Sequence, residues 1–203
     1  KEAAFGDILA PFPGRVGNSQ YTWKSIQHTL KTPLQNGGNA LHGFVFAREW
    51  TIVKKEPHAA QAQFTMTKEE YASLGYPFTV QFTINYELLP QGKGLEISAS
   101  VKNLGNEAAP LGLGFHPYFS VPSFLKDQQD LSKPSSSGYL INELQLTIPA
   151  RNLVEFDEKL VPTGKRIPLE DSQEFAFLSP VNASKQQTIG GTLIDNCFTD
   201  LIT

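Results

Sequence analysis

From Phe78 to Tyr86 every second side chain is apolar and every other one is polar. A period of two puts one face of a strand on a core and the other towards water, and no helix can use it. Leu95, Ile97, Ala99 and Val101 repeat the pattern against Glu96, Ser98, Ser100 and Lys102, with the turn Pro90-Gln91-Gly92-Lys93-Gly94 between the two runs. The pair therefore reads as an antiparallel hairpin. Leu144, Leu146 and Ile148 predict a third strand, ended by Pro149. Shorter strands are expected at Tyr21 to Ile26, Trp50 to Lys55 and Gln61 to Met66. No segment sustains a helical period. One helical turn is expected at Lys68 to Tyr71, with Thr67 as its N-cap. Many strands with frequent Gly and Pro turns predict an all-β antiparallel sandwich or barrel with little helix.

Composition bounds the rest. A chain of 203 residues with 40% hydrophobic and 18% charged side chains can bury a sizeable core, and residues 1–203 are expected to form a single domain. The formal net charge is -3 with both signs interspersed, so no nucleic-acid partner is expected. No apolar run is long enough to span a membrane. Cys197 is the sole cysteine, which excludes an internal disulfide and fits a cytoplasmic setting. The four histidines and one cysteine show no metal-ligand spacing, so no metal is expected. Asn182-Ala183-Ser184 is a glycosylation triplet of a kind common by chance. The polar stretch from Ser123 to Gly138 reads as a long surface loop. The start, Lys1-Glu2-Ala3-Ala4-Phe5, has neither an initiator Met nor a signal-peptide shape, so the chain is expected to begin inside a longer product.

Four segments carry chemistry. In Leu111 to Phe119, read as a strand, Leu111, Leu113, Phe115 and Phe119 face the core, while Gly112, Gly114, His116 and Tyr118 share the other face. Two alternating glycines in a strand need a reason. One is room for a ligand beside the imidazole; the other is a bulge, with His116 merely structural. Pro117 favours an extended His116. In Asn36-Gly37-Gly38-Asn39-Ala40-Leu41-His42-Gly43, glycines on both sides of His42 let backbone and imidazole approach a small molecule, although Gly-rich loops with one histidine are common. No Lys-Ser/Thr follows, so it is no phosphate loop. Ala10-Pro11-Phe12-Pro13-Gly14-Arg15 is a stiff loop ending in a guanidinium, a donor to hydroxyls or a solvated charge. Asp195, after Leu193-Ile194, is a sugar-hydroxyl acceptor or a turn cap. His28 and His58 read as solvated.

Six pieces in order resemble the aldose 1-epimerase family: Leu9 to Arg15, Asn39 to Gly43, Gly75-Tyr76-Pro77-Phe78, Gly114 to Phe119, Leu160-Val161-Pro162-Thr163-Gly164, and Asp195-Asn196-Cys197-Phe198. The resemblance covers nearly the whole chain. It implies a large galactose mutarotase-like super-sandwich with a sugar site on a concave face, and interconversion of α and β aldose anomers. It implies that His116 is the general acid at the ring oxygen and that His42 orients the sugar and assists there. Arg15, Asp195, Tyr118 and Asn39 would bind the small-molecule sugar. Only protons move, so no cofactor is implied, and a histidine of ordinary pKa near 6.5 suits the acid role.

The resemblance has a gap. The family's general base is a glutamate on a strand beyond the Asp motif, and nothing up to Thr203 matches it; the family's first strands have no match in this sequence either. Glu49, Glu87 and Glu96 do not occupy the position. The domain is thus expected to be incomplete at both ends and, alone, a poor catalyst. Two alternatives stand beside the free-sugar reading. One is a hexose 6-phosphate mutarotase, which would want an arginine close after His42-Gly43; here Phe44 to Ala47 intervene, and if that segment is a strand, Arg48 lies on the side of His42 but farther along. The other is a non-catalytic carbohydrate-binding sandwich.

Overall fold

A computed structural model describes residues 6–119, 144–181 and 188–202. The Ser123–Gly138 stretch and the Asn182 triplet lie outside the described residues. In chain order the strands are β1 (Ile8–Leu9), β2 (Arg15–Val16), β3 (Gln20–Trp23), β4 (Ile26–Thr29), β5 (Gln35–Asn36), β6 (Asn39–Leu41), β7 (Thr51–Lys55), β8 (Ala59–Met66), β9 (Val80–Leu88), β10 (Leu95–Asn103), β11 (Gly114–Phe115), β12 (Ala150–Phe156), β13 (Pro162–Pro168) and β14 (Phe198–Leu201). Helix α1 (Lys68–Tyr71) is a single turn, and the Thr67 hydroxyl accepts from the Glu70 N–H at 3.3 Å as its cap. Among the described residues no helix is long and apolar enough to cross a membrane. The chain divides into two compact units, Lys1–Tyr118 and Phe119–Thr203.

The first unit is organised by an antiparallel sheet of order β10-β9-β8-β7. The period-two pattern sets its register: Phe64 faces Phe82, Ala62 faces Ile84 and Met66 faces Val80. These side chains join Phe44, Tyr71 and Tyr76 in the core. The alternate positions zip the other face. Gln61 Nε2 donates to Asn85 Oδ1 at 2.6 Å, Gln63 Nε2 to Thr83 Oγ1 at 3.1 Å and Gln81 Nε2 to Thr65 Oγ1 at 3.2 Å. Such cross-strand pairs lock the register on both faces at once. The second unit holds the antiparallel sheet β13-β12-β14 over Ala150, Leu153, Leu169, Phe175, Phe177 and Leu178.

Two strand expectations need correction. Tyr21 to Ile26 is not one strand. The chain reverses at Lys24 (φ 47°) and Ser25 (φ 66°), pairing β3 with β4. That left-handed two-residue turn matches strand twist, but neither residue is a usual marker of it. Cross-strand contacts hold it: Tyr21 stacks on His28 with ring centres 4.8 Å apart, and Trp23 Nε1 donates to the Ala108 carbonyl at 3.1 Å. His28 is therefore half-buried rather than solvated. Residues 144–149 form no strand, although their exposure alternates as a strand's would. The segment is extended, with the Ile148 N–H bound to the Leu178 carbonyl at 2.9 Å, and ladder pairing begins only after Pro149, at Ala150.

Burial raises the phenols of Tyr21, Tyr71, Tyr76 and Tyr86, and Tyr21 and Tyr76 carry the largest shifts. Tyr21 Oη donates to the Gly75 carbonyl at 2.9 Å and Tyr76 Oη to the Pro110 carbonyl at 2.8 Å. Burial pushes the Tyr21 phenol up to about 12 and raises Tyr76 as well. A raised phenol binds its proton more tightly in the folded chain, so its stabilisation is complete below the unfolded value near 10 and is lost as pH rises from there. Urea midpoints are expected to fall steeply between about pH 10 and pH 12. The Y21F and Y76F variants are expected to flatten that slope while lowering neutral-pH stability by about 1 kcal/mol each, since each strands a carbonyl.

Candidate active site

Five of the six candidate site residues lie in the first unit. The small sheet β2-β6-β5 pairs Arg15 with Leu41 and Val16 with Ala40. Just past that pair, the His42 N–H donates to the Gly14 carbonyl at 2.9 Å, and the Gly14 N–H donates back to His42 Nδ1 at 3.2 Å. The imidazole is thus bonded to the Pro13-Gly14-Arg15 turn. With Nδ1 accepting, the neutral ring carries its proton on Nε2, leaving Nε2–H as the donor. His42 also sits at φ 61°, a conformation that costs a non-glycine residue energy and recurs at functional sites.

His116 approaches from another stretch of chain. Its N–H donates to the Asp7 carbonyl at 3.1 Å and its carbonyl accepts from the Gly6 N–H at 2.9 Å, continuing the β1–β11 pairing by one residue. The His42 and His116 rings meet edge to face, with centres 5.5 Å apart and planes at 85°. Tyr118, otherwise exposed, stacks on the His116 ring with centres 5.3 Å apart. The half-buried Arg15 has its Nε turned into the protein. Asn39 is buried, and its Oδ1 accepts from the Asn18 N–H at 2.9 Å, so part of its bonding capacity braces the turn after β2. Asp195 belongs to the second unit, where it is exposed just before β14.

The structure corrects the account of Leu111 to Phe119. Only Gly114 and Phe115 form strand, paired with Leu9 and Ile8. Leu113 reaches the core, but Leu111 and Phe115 are exposed and Phe119 is 84% exposed. The glycine positions are not open for a ligand. A Cβ at Gly112 would lie 3.0 Å from Pro13 Cδ, and one at Gly114 2.8 Å from Pro13 Cβ. The Pro13 ring packs on that backbone, tightly at Gly112 and too close for a side chain at Gly114 unless something shifts, and so brings the turn to which His42 is bonded towards the His116 segment. Pro13, noted in the sequence only as part of a stiff loop, is a positioning residue, and so is Asp7, which no local pattern marks.

Arg48 is also placed differently. Val45–Ala47 is a turn of 3-10 helix, not strand, and swings Arg48 away to pair with Glu70 at 3.3 Å and to lie 5.5 Å above the Tyr71 ring. Among the described residues no group of three or more His, Cys, Asp or Glu is arranged to hold a metal ion.

The family model for aldose 1-epimerase matches residues 1–201. The galactose mutarotase of Sus scrofa is 23% identical over 185 residues, covering 91% of this chain and 48% of that protein. The uncharacterized protein YihR of Escherichia coli is 28% identical over 141 residues, covering 70% of this chain and 44% of that one. A solved galactose mutarotase-like protein from Clostridium acetobutylicum superposes with a TM-score of 0.67 at 24% identity, covering 86% of this chain and 48% of its own. The chain spans about half the length of these relatives. The superposition identifies the fold class as the all-β, galactose mutarotase-like sandwich. Matched along almost its entire length by that one family model, the chain belongs to the aldose 1-epimerase family.

Proposed function

We propose that this protein interconverts the α and β anomers of a free aldose. The observation that carries the reading is the edge-to-face pair of His42 and His116, 5.5 Å between ring centres, with His42 Nδ1 occupied by the Gly14 N–H. Two imidazoles held so close can address a single oxygen. His116 delivers a proton to the ring oxygen as the bond from that oxygen to the anomeric carbon breaks. The anomeric hydroxyl loses its proton to a base, which we assign to no residue here, and becomes the aldehyde oxygen. Rotation about the bond to carbon 2 and the reverse steps give the other anomer. His42 Nε2–H orients the same ring oxygen. Within the first unit, Arg15, Asn39 and Tyr118 are the candidates for holding hydroxyls and ring; a role for Asp195 rests on the family pattern alone. Proton transfer by a positioned side chain is worth about 10²–10⁴-fold.

A free sugar is favoured over a phosphorylated one because Arg48, the first cation after His42-Gly43, is engaged with Glu70 and Tyr71. Polarimetry of freshly dissolved α-glucose, α-galactose and α-glucose 6-phosphate with the whole protein tests the reading. Faster mutarotation of a free sugar is expected, and a strong preference for the phosphate ester would overturn the choice. Binding gives a readout that does not need the base. Sugar at about 100 times its dissociation constant is expected to raise unfolding free energy by about 2.7 kcal/mol.

A further inference from the structure

Among the described residues, β10 is an edge of the sheet β10-β9-β8-β7. Its nine residues pair with β9 without a register shift. The opposite edge, β7, is interrupted between Ile52 and Lys54 and ends in Lys54-Lys55, features that discourage strand addition. β10 has no bulge, and two of its apolar side chains are uncovered, Leu95 at 51% exposed and Ile97 at 40%, beside Leu88 at 56%, while Val101 packs against the core. Its hydrogen-bonding direction follows from the ends of the ladder. Leu89 N–H donates to the Gly94 carbonyl and Leu104 N–H to the Thr79 carbonyl, so even-numbered residues point their backbone groups at β9. By antiparallel alternation, Leu95, Ile97, Ala99, Val101 and Asn103 point theirs outward.

The sequence of this edge is complementary to itself when reversed. About Ala99, Ser98 mirrors Ser100, Ile97 mirrors Val101, and Glu96 mirrors Lys102. We propose that β10 pairs antiparallel with β10 of a second copy about a two-fold axis at Ala99, joining the two sheets into one. Ala99 then exchanges backbone hydrogen bonds with the partner's Ala99. Ile97 packs across from the partner's Val101, and Glu96 faces the partner's Lys102 at both ends. The charges choose the register. An axis at Ser98 sets Glu96 opposite the partner's Ser100, and an axis at Ser100 sets it opposite the partner's Leu104; both ion pairs are lost either way. A closed two-fold contact also uses up the edge, which an open-ended one would not. A seam of two strands is a small interface, so a weak, concentration-dependent association is expected.

Sedimentation velocity of the protein from about 1 to 300 μM tests this, with thermal melts as the folding control. Wild type is expected to dimerise. Glu96→Lys and Lys102→Glu each set like charges across the seam and are expected to weaken the dimer about tenfold or more. The E96K/K102E double variant restores opposite charges and is expected to restore association. Ala99→Pro removes an N–H that β9 does not use and is expected to give a folded monomer. A wild type that stays monomeric throughout would overturn the proposal. So would a dimer indifferent to Ala99→Pro, or a double variant no better than the singles.

Discussion

Gly43→Ala is expected to lose on the order of 3–5 kcal/mol of stability, the largest structural effect of any single methyl group added near the site. A Cβ at Gly43 would lie 2.0 Å from the Ala10 carbonyl oxygen and 2.4 Å from its carbon, with φ at +73°. Both partners are backbone, so no side chain can rotate away. Nor can Ala10 retreat freely, because its carbonyl accepts from the Phe44 N–H at 2.8 Å and the Val45 N–H at 3.3 Å, and its side chain is wholly buried. Relief has to come from separating the segment before the Pro11 loop from the segment after His42. That separation also breaks the reciprocal bonds between Gly14 and His42. Urea unfolding is therefore expected to shift together with loss of sugar-induced stabilisation. Gly38→Ala is the control: it shares a positive φ of 83° but has nothing within 4 Å, so only the conformational cost of about 1–2 kcal/mol is expected. Equal losses at the two positions would refute the steric argument.

That contrast shows what was legible in the sequence and what was not. Alternation is written along the chain, and β9, β10 and the Thr67 cap follow from it because each depends on neighbours in sequence. The β3–β4 reversal was hidden because Lys24 and Ser25 carry no turn preference of their own; stacking of Tyr21 on His28 selects it. At residues 144–149 the alternation is real but no strand among the described residues supplies a ladder, and alternation alone cannot say whether one exists. The site divides in the same way. His42 and His116 stand out through flanking glycines and the family pattern, whereas the alternation of Gly112 and Gly114 leaves room for a ligand and a bulge equally open. The space belongs to Pro13, about 100 residues away in the chain, and only the tertiary fold brings it there. A strand after His42-Gly43 would keep Arg48 on the side of His42; the 3-10 turn found there instead depends on Phe44 and Val45 sinking into the core.

His116→Ala is expected to slow mutarotation about 10²–10⁴-fold with the fold intact. The substitution removes an imidazole whose backbone is held independently of it, by Asp7 on one side and Gly6 on the other. Circular dichroism and urea midpoints are thus expected to stay near wild type while the rate collapses. A proton donor lost in this way can be replaced from solution, so added imidazole is expected to recover part of the rate in His116→Ala. A merely structural histidine would show no such recovery. His42→Ala is expected to cost less, since it leaves the donor but frees the Pro13-Gly14-Arg15 turn from its ring. The two rings are 5.5 Å apart and are proposed to serve one oxygen, so their losses are not independent. The double variant is expected to fall short of the product of the two single losses. If instead the losses multiply fully and imidazole recovers nothing, His42 and His116 do not share the ring oxygen, and the acid must be sought elsewhere.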